Sequence, residues 1–245
     1  MKKLSNEKNF FVYLHFSNIH TGIKKEVLDV YHNHSEEFFE NTELNKNRYS
    51  KLFNKAEIYL ESILNEIKKL SLDENSLILI MSDHGVSTGE KFGEHAYGAF
   101  CYDYTLRTFT YFLSKDLPST EIKQQTRTID FLPTILDVLK IPLDNNSGDL
   151  DGVSLLPLIN GSSIPESFAF SETGNPLHDK VPPKEPNVKS IRTSKWKLIF
   201  NEHDDTKELY NLEQDPHENR NLIDTGEKIQ DSLWKNLTQL IKTRD

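Results

Sequence analysis

The chain has 245 residues, 29 Lys and Arg against 38 Asp and Glu for a formal net charge of −9, a single Cys and nine His. That length suits one large or two small domains with a sizeable core. One Cys excludes an internal disulfide framework and a Cys-only zinc site, and the acidic balance argues against non-specific nucleic-acid binding. An aromatic content of 10% excludes wholesale disorder, but a mean hydropathy of −0.59 is polar for a globular chain.

The first nine residues carry lysines without an apolar core, and the run Phe10 to Phe16 is too short for a signal sequence. No window approaches the ~18–20 apolar residues of a membrane span. As it stands the chain reads as soluble, unprocessed and cytoplasmic, although a longer parent could be exported.

Phe10 to Phe16 is aromatic and β-branched, which predicts a buried strand, followed by a loop with His20 at its tip. Residues 24–45 read as polar and irregular. Arg48 to Leu70 repeats apolar residues with a 3.6 period (Leu52, Phe53, Ala56, Tyr59, Leu60, Ile63, Leu64, Ile67), which predicts an amphipathic helix. After a turn at Asp73–Asn75, the unbroken apolar run Ser76 to Met81 predicts a central parallel strand. Residues 86–100 read as a loop and Leu106 to Leu113 as a further strand. Ile129 to Leu139 is helical in pattern, with Pro133 in its first turn and Thr128 or Asp130 as cap. Beyond residue 165 the texture changes. Ser167–Ser171 is a short strand, Val188–Thr193 and Lys195–Asn201 flank Ser194 as a hairpin, and Glu208–Leu212 is another strand. Asp224–Thr243 is a terminal helix. The expected fold is α/β, with a mostly parallel central sheet over residues 1–165 and a small antiparallel sheet plus C-terminal helix over 166–245.

The sharpest local feature is Ser82-Asp83-His84-Gly85 at the end of the Ser76–Met81 run. Ligand groups gather past the carboxyl ends of strands in open α/β sheets. A carboxylate and an imidazole there suit a divalent metal, and Gly85 permits a sharp turn. The tripeptide alone also admits a plainer reading, in which Asp83 caps a turn and His84 is a solvated loop residue.

Several further blocks stand in order: Gly93-Glu94-His95, Tyr102 to Thr108, Thr128 to Leu136, Asp151 to Ile159, Ile191 to Ile199 and Glu208 to Glu218. Together with Asp83-His84-Gly85 they resemble the sulfatase family of the alkaline-phosphatase superfamily, from about Phe10 to Leu222. The resemblance implies a sulfuric ester hydrolase with Asp83 and His84 as metal ligands. It places His95, with Lys91 as competitor, against the sulfate oxygens and the leaving group, and His20 in the substrate site. It implies Ca²⁺, with Mn²⁺ or Zn²⁺ open because many sulfatases carry Asn where this chain has His84. Its substrate would be a small-molecule or glycan sulfate ester, with no nucleic-acid partner. His32, His34, His178, His203 and His217 match no role, and Arg107 reads as an ion-pair residue.

The family attacks sulfur with a formylglycine made from Cys or Ser in a Cys/Ser-x-Pro-x-Arg motif. Cys101 is followed by Tyr102-Asp103-Tyr104, and Ser163-Ile164-Pro165-Glu166-Ser167 has Ser where Arg is required. The resemblance therefore implies the C-terminal portion of a sulfatase-like protein, inactive alone, with the nucleophile half outside this chain. Three readings stay open: sulfatase; phosphoester or phosphonate hydrolase or phosphoethanolamine-type transferase; and a non-catalytic chain needing a partner. The apolar runs Phe10–Phe16 and Ser76–Met81 expect neighbours on both sides, so a sheet without them would expose an edge and an apolar face.

Overall fold

The computed structural model describes residues 9–31, 36–143, 148–176, 181 and 183–243. His32, His34 and His178 lie outside the described residues. The chain divides into two compact units, Met1–Tyr97 with Thr108–Lys115, and Gly98–Arg107 with Asp116–Asp245.

The first unit is organised by α3, Thr42–Lys69. The apolar period predicts it, but it begins six residues before the expected start because polar anchors, not apolar ones, fix its first turns. Asn45 is fully buried and its amide donates to Phe38 O at 2.8 Å and Thr88 O at 3.0 Å, while its oxygen accepts from Tyr31 Oη at 2.6 Å. Preceding it are α1 (Asn18–Gly22), a π-helical turn at Ile23–Leu28 and α2 (Glu37–Glu40), so the stretch expected to be irregular is largely helical. Ile23, Val27, Tyr31, Phe38, Leu52, Val86 and Ala96 form the core of this unit.

The strand β1, Ile78–Met81, pairs antiparallel with β2, Thr110–Leu113, in register Ile78 with Leu113 and Met81 with Thr110. The central parallel sheet is thus corrected: the described sheet of this unit has two strands, and they run in opposite directions. A continuous apolar run reports burial on both faces, but says nothing of the direction of its neighbour. Neither strand carries a fully buried residue; Tyr111 is 59% exposed and Met81 42%. The strand expected at Phe10–Phe16 is also corrected. It lies in no ladder, and its side chains face outward, with Phe11 89% and Tyr13 76% exposed. Extended propensity becomes a strand only where a neighbour takes up the backbone N–H and C=O groups.

The second unit is a four-stranded antiparallel sheet in sequential order: β3 (Ala169–Thr173), β4 (Val188–Arg192), β5 (Trp196–Asn201) and β6 (Thr206–Asn211). The expected hairpin about Ser194 and the terminal helix, α7 (Ile229–Lys242), are both present. One sheet face places Ile191, Leu198 and Leu209 against Leu233 and Leu237 of α7. The other face packs Val188, Ile199 and Tyr210 with Cys101, which is fully buried as a core residue. A one-turn helix, α4 (Asp103–Leu106), lies in this unit in place of the start of the strand expected at Leu106. Further along are α5 (Phe131–Val138), holding Pro133 in its first turn, and α6 (Leu156–Ile159). Asp130 does not cap α5 directly. Its carboxylate accepts from Arg127 N at 2.8 Å and Val153 N at 3.0 Å and pairs with the Arg127 guanidinium at 2.7 Å.

A buried ionic cluster crosses the second face. Lys197, wholly buried in mid-strand, reaches Asp103 Oδ1 at 2.9 Å and Glu218 Oε1 at 2.8 Å. Asp103 is also gripped by Arg192, Nη2 to Oδ2 at 2.8 Å, and its backbone N–H donates to Glu218 Oε2 at 2.7 Å. Burial acts to raise the Asp103 pKa, but Lys197 and Arg192 overcome it and hold the carboxyl down at about 2. Glu218 moves the other way, pushed up by burial against the pull of Lys197.

Candidate functional site

The candidate site belongs to the first unit and starts where β1 ends. The Ser82 N–H still donates to Phe109 O at 3.2 Å, and after it the chain leaves the ladder. Asp83 Oδ1 accepts from the His84 backbone N–H at 2.8 Å, which turns its carboxylate back over the following residue. His84 Nδ1 lies 2.6 Å from Gly85 O. A carbonyl can only accept, so Nδ1 carries a proton, and in the neutral imidazole Nε2 then keeps its lone pair, the usual way a ligating imidazole is oriented. That Nε2 lies 3.7 Å from Asp83 Oδ2, and Asp83 is 75% exposed at its side chain.

Two donors each about 2.0–2.2 Å from one ion can be at most about 4.4 Å apart, so this pair fits a shared divalent cation. It is not a complete shell, because structural and catalytic sites take at least three protein donors. Among the described residues no group of three or more His, Cys, Asp or Glu side chains converges.

The loop after the pair is fixed firmly. Val86, Ser87, Thr88 and Gly89 are all buried. Asn45 holds Thr88 O, Thr42 Oγ1 donates to Gly89 O at 3.1 Å, and the Glu90 carboxylate accepts from Thr88 N at 2.6 Å and Thr88 Oγ1 at 2.7 Å. Gly89 has φ of +111°, and a Cβ there would stand 2.9 Å from Thr42 Oγ1 and 3.1 Å from Phe38 O. The loop closes on itself through a bridge between Ser87 and Ala96.

The predicted site residues fall into two aromatic settings. His84 packs on the Tyr97 ring at 4.3 Å between centroids, and His20, exposed on α1, approaches the same ring at 6.4 Å. His95, also exposed, rests on Phe38 at 5.3 Å and Phe39 at 5.0 Å, and Phe39 in turn meets Phe92 at 4.8 Å. The structure thus brings Asp83, His84 and His20 around one ring and sets His95 on the Phe38–Phe39 wall. Sequence reasoning missed Tyr97, Asn45 and Tyr49. Burial pushes the Tyr49 phenol up, and the negative charges of Asp83 and Glu90 push it further, which marks Tyr49 as a neighbour of the acid pair. The aromatic spacing His95-x-Tyr97 was the available signal for Tyr97; Asn45 had none, being a polar residue on a helix face.

Comparison with known proteins identifies the family. The Sulfatase family model matches residues 2–141, and the model for the C-terminal region of N-sulphoglucosamine sulphohydrolase matches residues 93–243. The choline-sulfatase of Rhizobium meliloti is 26% identical over 190 residues, which is 76% of this chain and 35% of the relative. Among solved structures, a 2-O GAG sulfatase superposes with a TM-score of 0.70 at 20% identity, covering 93% of this chain and 49% of that one. The phosphonate monoester hydrolase of Agrobacterium radiobacter gives a TM-score of 0.63 at 20% identity, with coverage of 81% and 41%. The chain therefore spans from about a third to about half of the length of these relatives. It belongs to the sulfatase family.

Proposed function

We propose that this chain carries the Asp83–His84 metal pair and the substrate-side histidines of a sulfuric ester hydrolase, completed by residues outside it. The observation that carries this reading is the orientation of the pair. The Gly85 carbonyl fixes the His84 proton on Nδ1 and leaves Nε2 facing the same space as Asp83 Oδ2. A bound Ca²⁺, or Mn²⁺ or Zn²⁺ given the imidazole, would supply Lewis-acid stabilisation of charge on the ester oxygens. His20, gathered to the same ring as His84, presents an imidazole toward an anionic group, and His95 is exposed and able to move a proton at the leaving oxygen. The 2-O GAG sulfatase and choline-sulfatase similarities support a sulfate ester, small-molecule or glycan, as substrate.

Turnover by this chain alone is not expected, since no Cys/Ser-x-Pro-x-Arg motif supplies the nucleophile and two donors do not fill a metal shell. A second reading, phosphoester or phosphonate hydrolysis, is favoured by His84 in place of the Asn of many sulfatases.

The test is titration of the full chain with Mn²⁺, reading free Mn²⁺ by electron paramagnetic resonance and, where the ring is present, paramagnetic broadening of the His84 signals. Binding should be lost in Asp83→Ala and in His84→Ala. Sulfatase turnover by the purified 245-residue chain, abolished by Asp83→Ala, would overturn the view that the nucleophile lies elsewhere.

A further inference from the structure

The backbone between the two histidine settings is unusual. Ala96 is buried, 6% exposed, and has φ of +70°, the left-handed region that a residue with a Cβ enters at a cost of about 1–3 kcal/mol. The Ser87 N–H donates to Ala96 O at 2.5 Å, and the Tyr97 N–H to His95 O at 3.0 Å, which hold this kink in place. Its geometric result is that neighbouring side chains diverge. His95 turns to Phe38 and Phe39, and Tyr97 turns to His84 and His20. The kink is therefore what delivers an aromatic ring to the metal pair. Tyr97 itself is 41% exposed and contributes little burial.

We infer that Tyr97 is a positioning residue of the site: its ring, inclined 46° to the His84 imidazole at 4.3 Å, holds that imidazole so that Nδ1–H stays on Gly85 O and Nε2 stays beside Asp83. Without the ring, the imidazole is free to turn about its Cβ–Cγ bond and adopt the tautomer with the proton on Nε2, which cannot ligate through that atom. The ring face, not the hydroxyl, does this, so Phe should substitute and Leu should not. The inference rests on the proposed role of Asp83 and His84.

The experiment uses the full chain as wild type, Tyr97→Phe, Tyr97→Leu and Asp83→Ala. The ¹⁵N signals of His84 are recorded at a pH where the imidazole is neutral, which reports the tautomer directly. Mn²⁺ alone is then titrated. Wild type and Tyr97→Phe should show the Nδ1–H tautomer, and Tyr97→Leu should show a mixture. Mn²⁺ affinity should fall about tenfold in Tyr97→Leu, in line with loss of a residue that orients a ligand, and change less than about twofold in Tyr97→Phe. A His84 tautomer unchanged in Tyr97→Leu, or an Mn²⁺ affinity unchanged in it, overturns the inference. Failure of the underlying reading looks different: Asp83→Ala then binds Mn²⁺ like wild type, and the tautomer alone decides for or against Tyr97.

Discussion

Replacing Lys197 by Met tests the buried cluster of the second unit most sharply. Lys197 is wholly buried and serves two carboxylates, Asp103 at 2.9 Å and Glu218 at 2.8 Å. Asp103 keeps the Arg192 guanidinium after the change, so its charge stays matched. Glu218, 1% exposed at its side chain, keeps the Asp103 backbone N–H and loses the Lys197 ammonium. Taking a proton relieves a buried charge that has lost this cation. From its ordinary pKa of 4.5, protonation at pH 7 costs about 3.4 kcal/mol, at about 1.36 kcal/mol per pH unit. Roughly 1 kcal/mol for the lost Asp103 hydrogen bond is added, which brings the total into the range measured for breaking buried pairs. Burial already raises the Glu218 pKa in the wild type, and loss of Lys197 raises it further, so the variant takes up more proton on folding. The added penalty is small below pH 4.5 and grows as pH rises. Lys197→Met should therefore cost at most about 4 kcal/mol at pH 7 and at most about 2 kcal/mol at pH 5, and Glu218→Gln in the same chain should recover most of the pH 7 loss. Urea unfolding followed by tryptophan fluorescence reads this unit selectively, since both tryptophans, Trp196 and Trp234, lie in it. A cost equal at the two pH values, or no recovery with Glu218→Gln, would refute the assignment of the penalty to Glu218 deprived of Lys197.

Asp103→Asn should flatten the acid limb of stability. The folded carboxyl sits at about 2 instead of 3.8, so it contributes about 2 kcal/mol that is present above pH 4 and lost as pH falls toward 2; a wild-type acid profile in the variant would contradict this. Asn45→Leu takes the side-chain donor from Thr88 O and from Phe38 O; Phe38 O keeps the Asn41 N–H at 3.4 Å, so the full cost of about 1–3 kcal/mol falls on Thr88 O. Amide exchange over residues 86–97 should accelerate at least tenfold by mass spectrometry, and unchanged exchange would mean that the loop is held by other bonds. Gly152→Ala would set a Cβ 1.9 Å from Ile129 O, a backbone atom that cannot swing aside. A loss of about 3 kcal/mol or more in the same urea assay is expected, and a neutral result would show that the 150–153 turn moves freely.

What the sequence made legible was what repeats over short spans. The 3.6 period of α3, the β4–β5 hairpin about Ser194 and the terminal helix were readable because neighbours within a turn or a hairpin determine them. Chain direction in β1 and β2 was not, since Ile78–Met81 pairs with residues about thirty positions away and its apolar run fits either direction. The candidate site divides in the same way. Asp83 and His84 are adjacent in sequence and stood out, whereas Asn45 acts on Thr88 across 43 residues; in the second unit, likewise, Asp103 meets Lys197 across 94. Lys197 did leave a trace, because a lysine flanked by Trp196 and Leu198 in a strand has to be either exposed or paired, and it is paired.

The placement of the site in the first unit also says where its precision originates. β1 leads into Asp83, yet it has no fully buried residue and, among the described residues, pairs on one side only, so it orients the chain weakly. The segment following His84 is the reverse: four consecutive buried residues, two side-chain bonds from α3 and an internal bridge hold it on every side. Gly85 stands between the two and supplies the carbonyl that fixes His84. The imidazole is thus referenced to the loop and α3, and the Asp83 carboxylate to the imidazole's own backbone N–H. Substitutions that shift the β1 ladder, such as Ile80→Ala, should disturb the pair less than loosening Asn45, although Ile80 is closer in sequence to Asp83. A site built this way tolerates a weak strand because its geometry is set downstream of the strand.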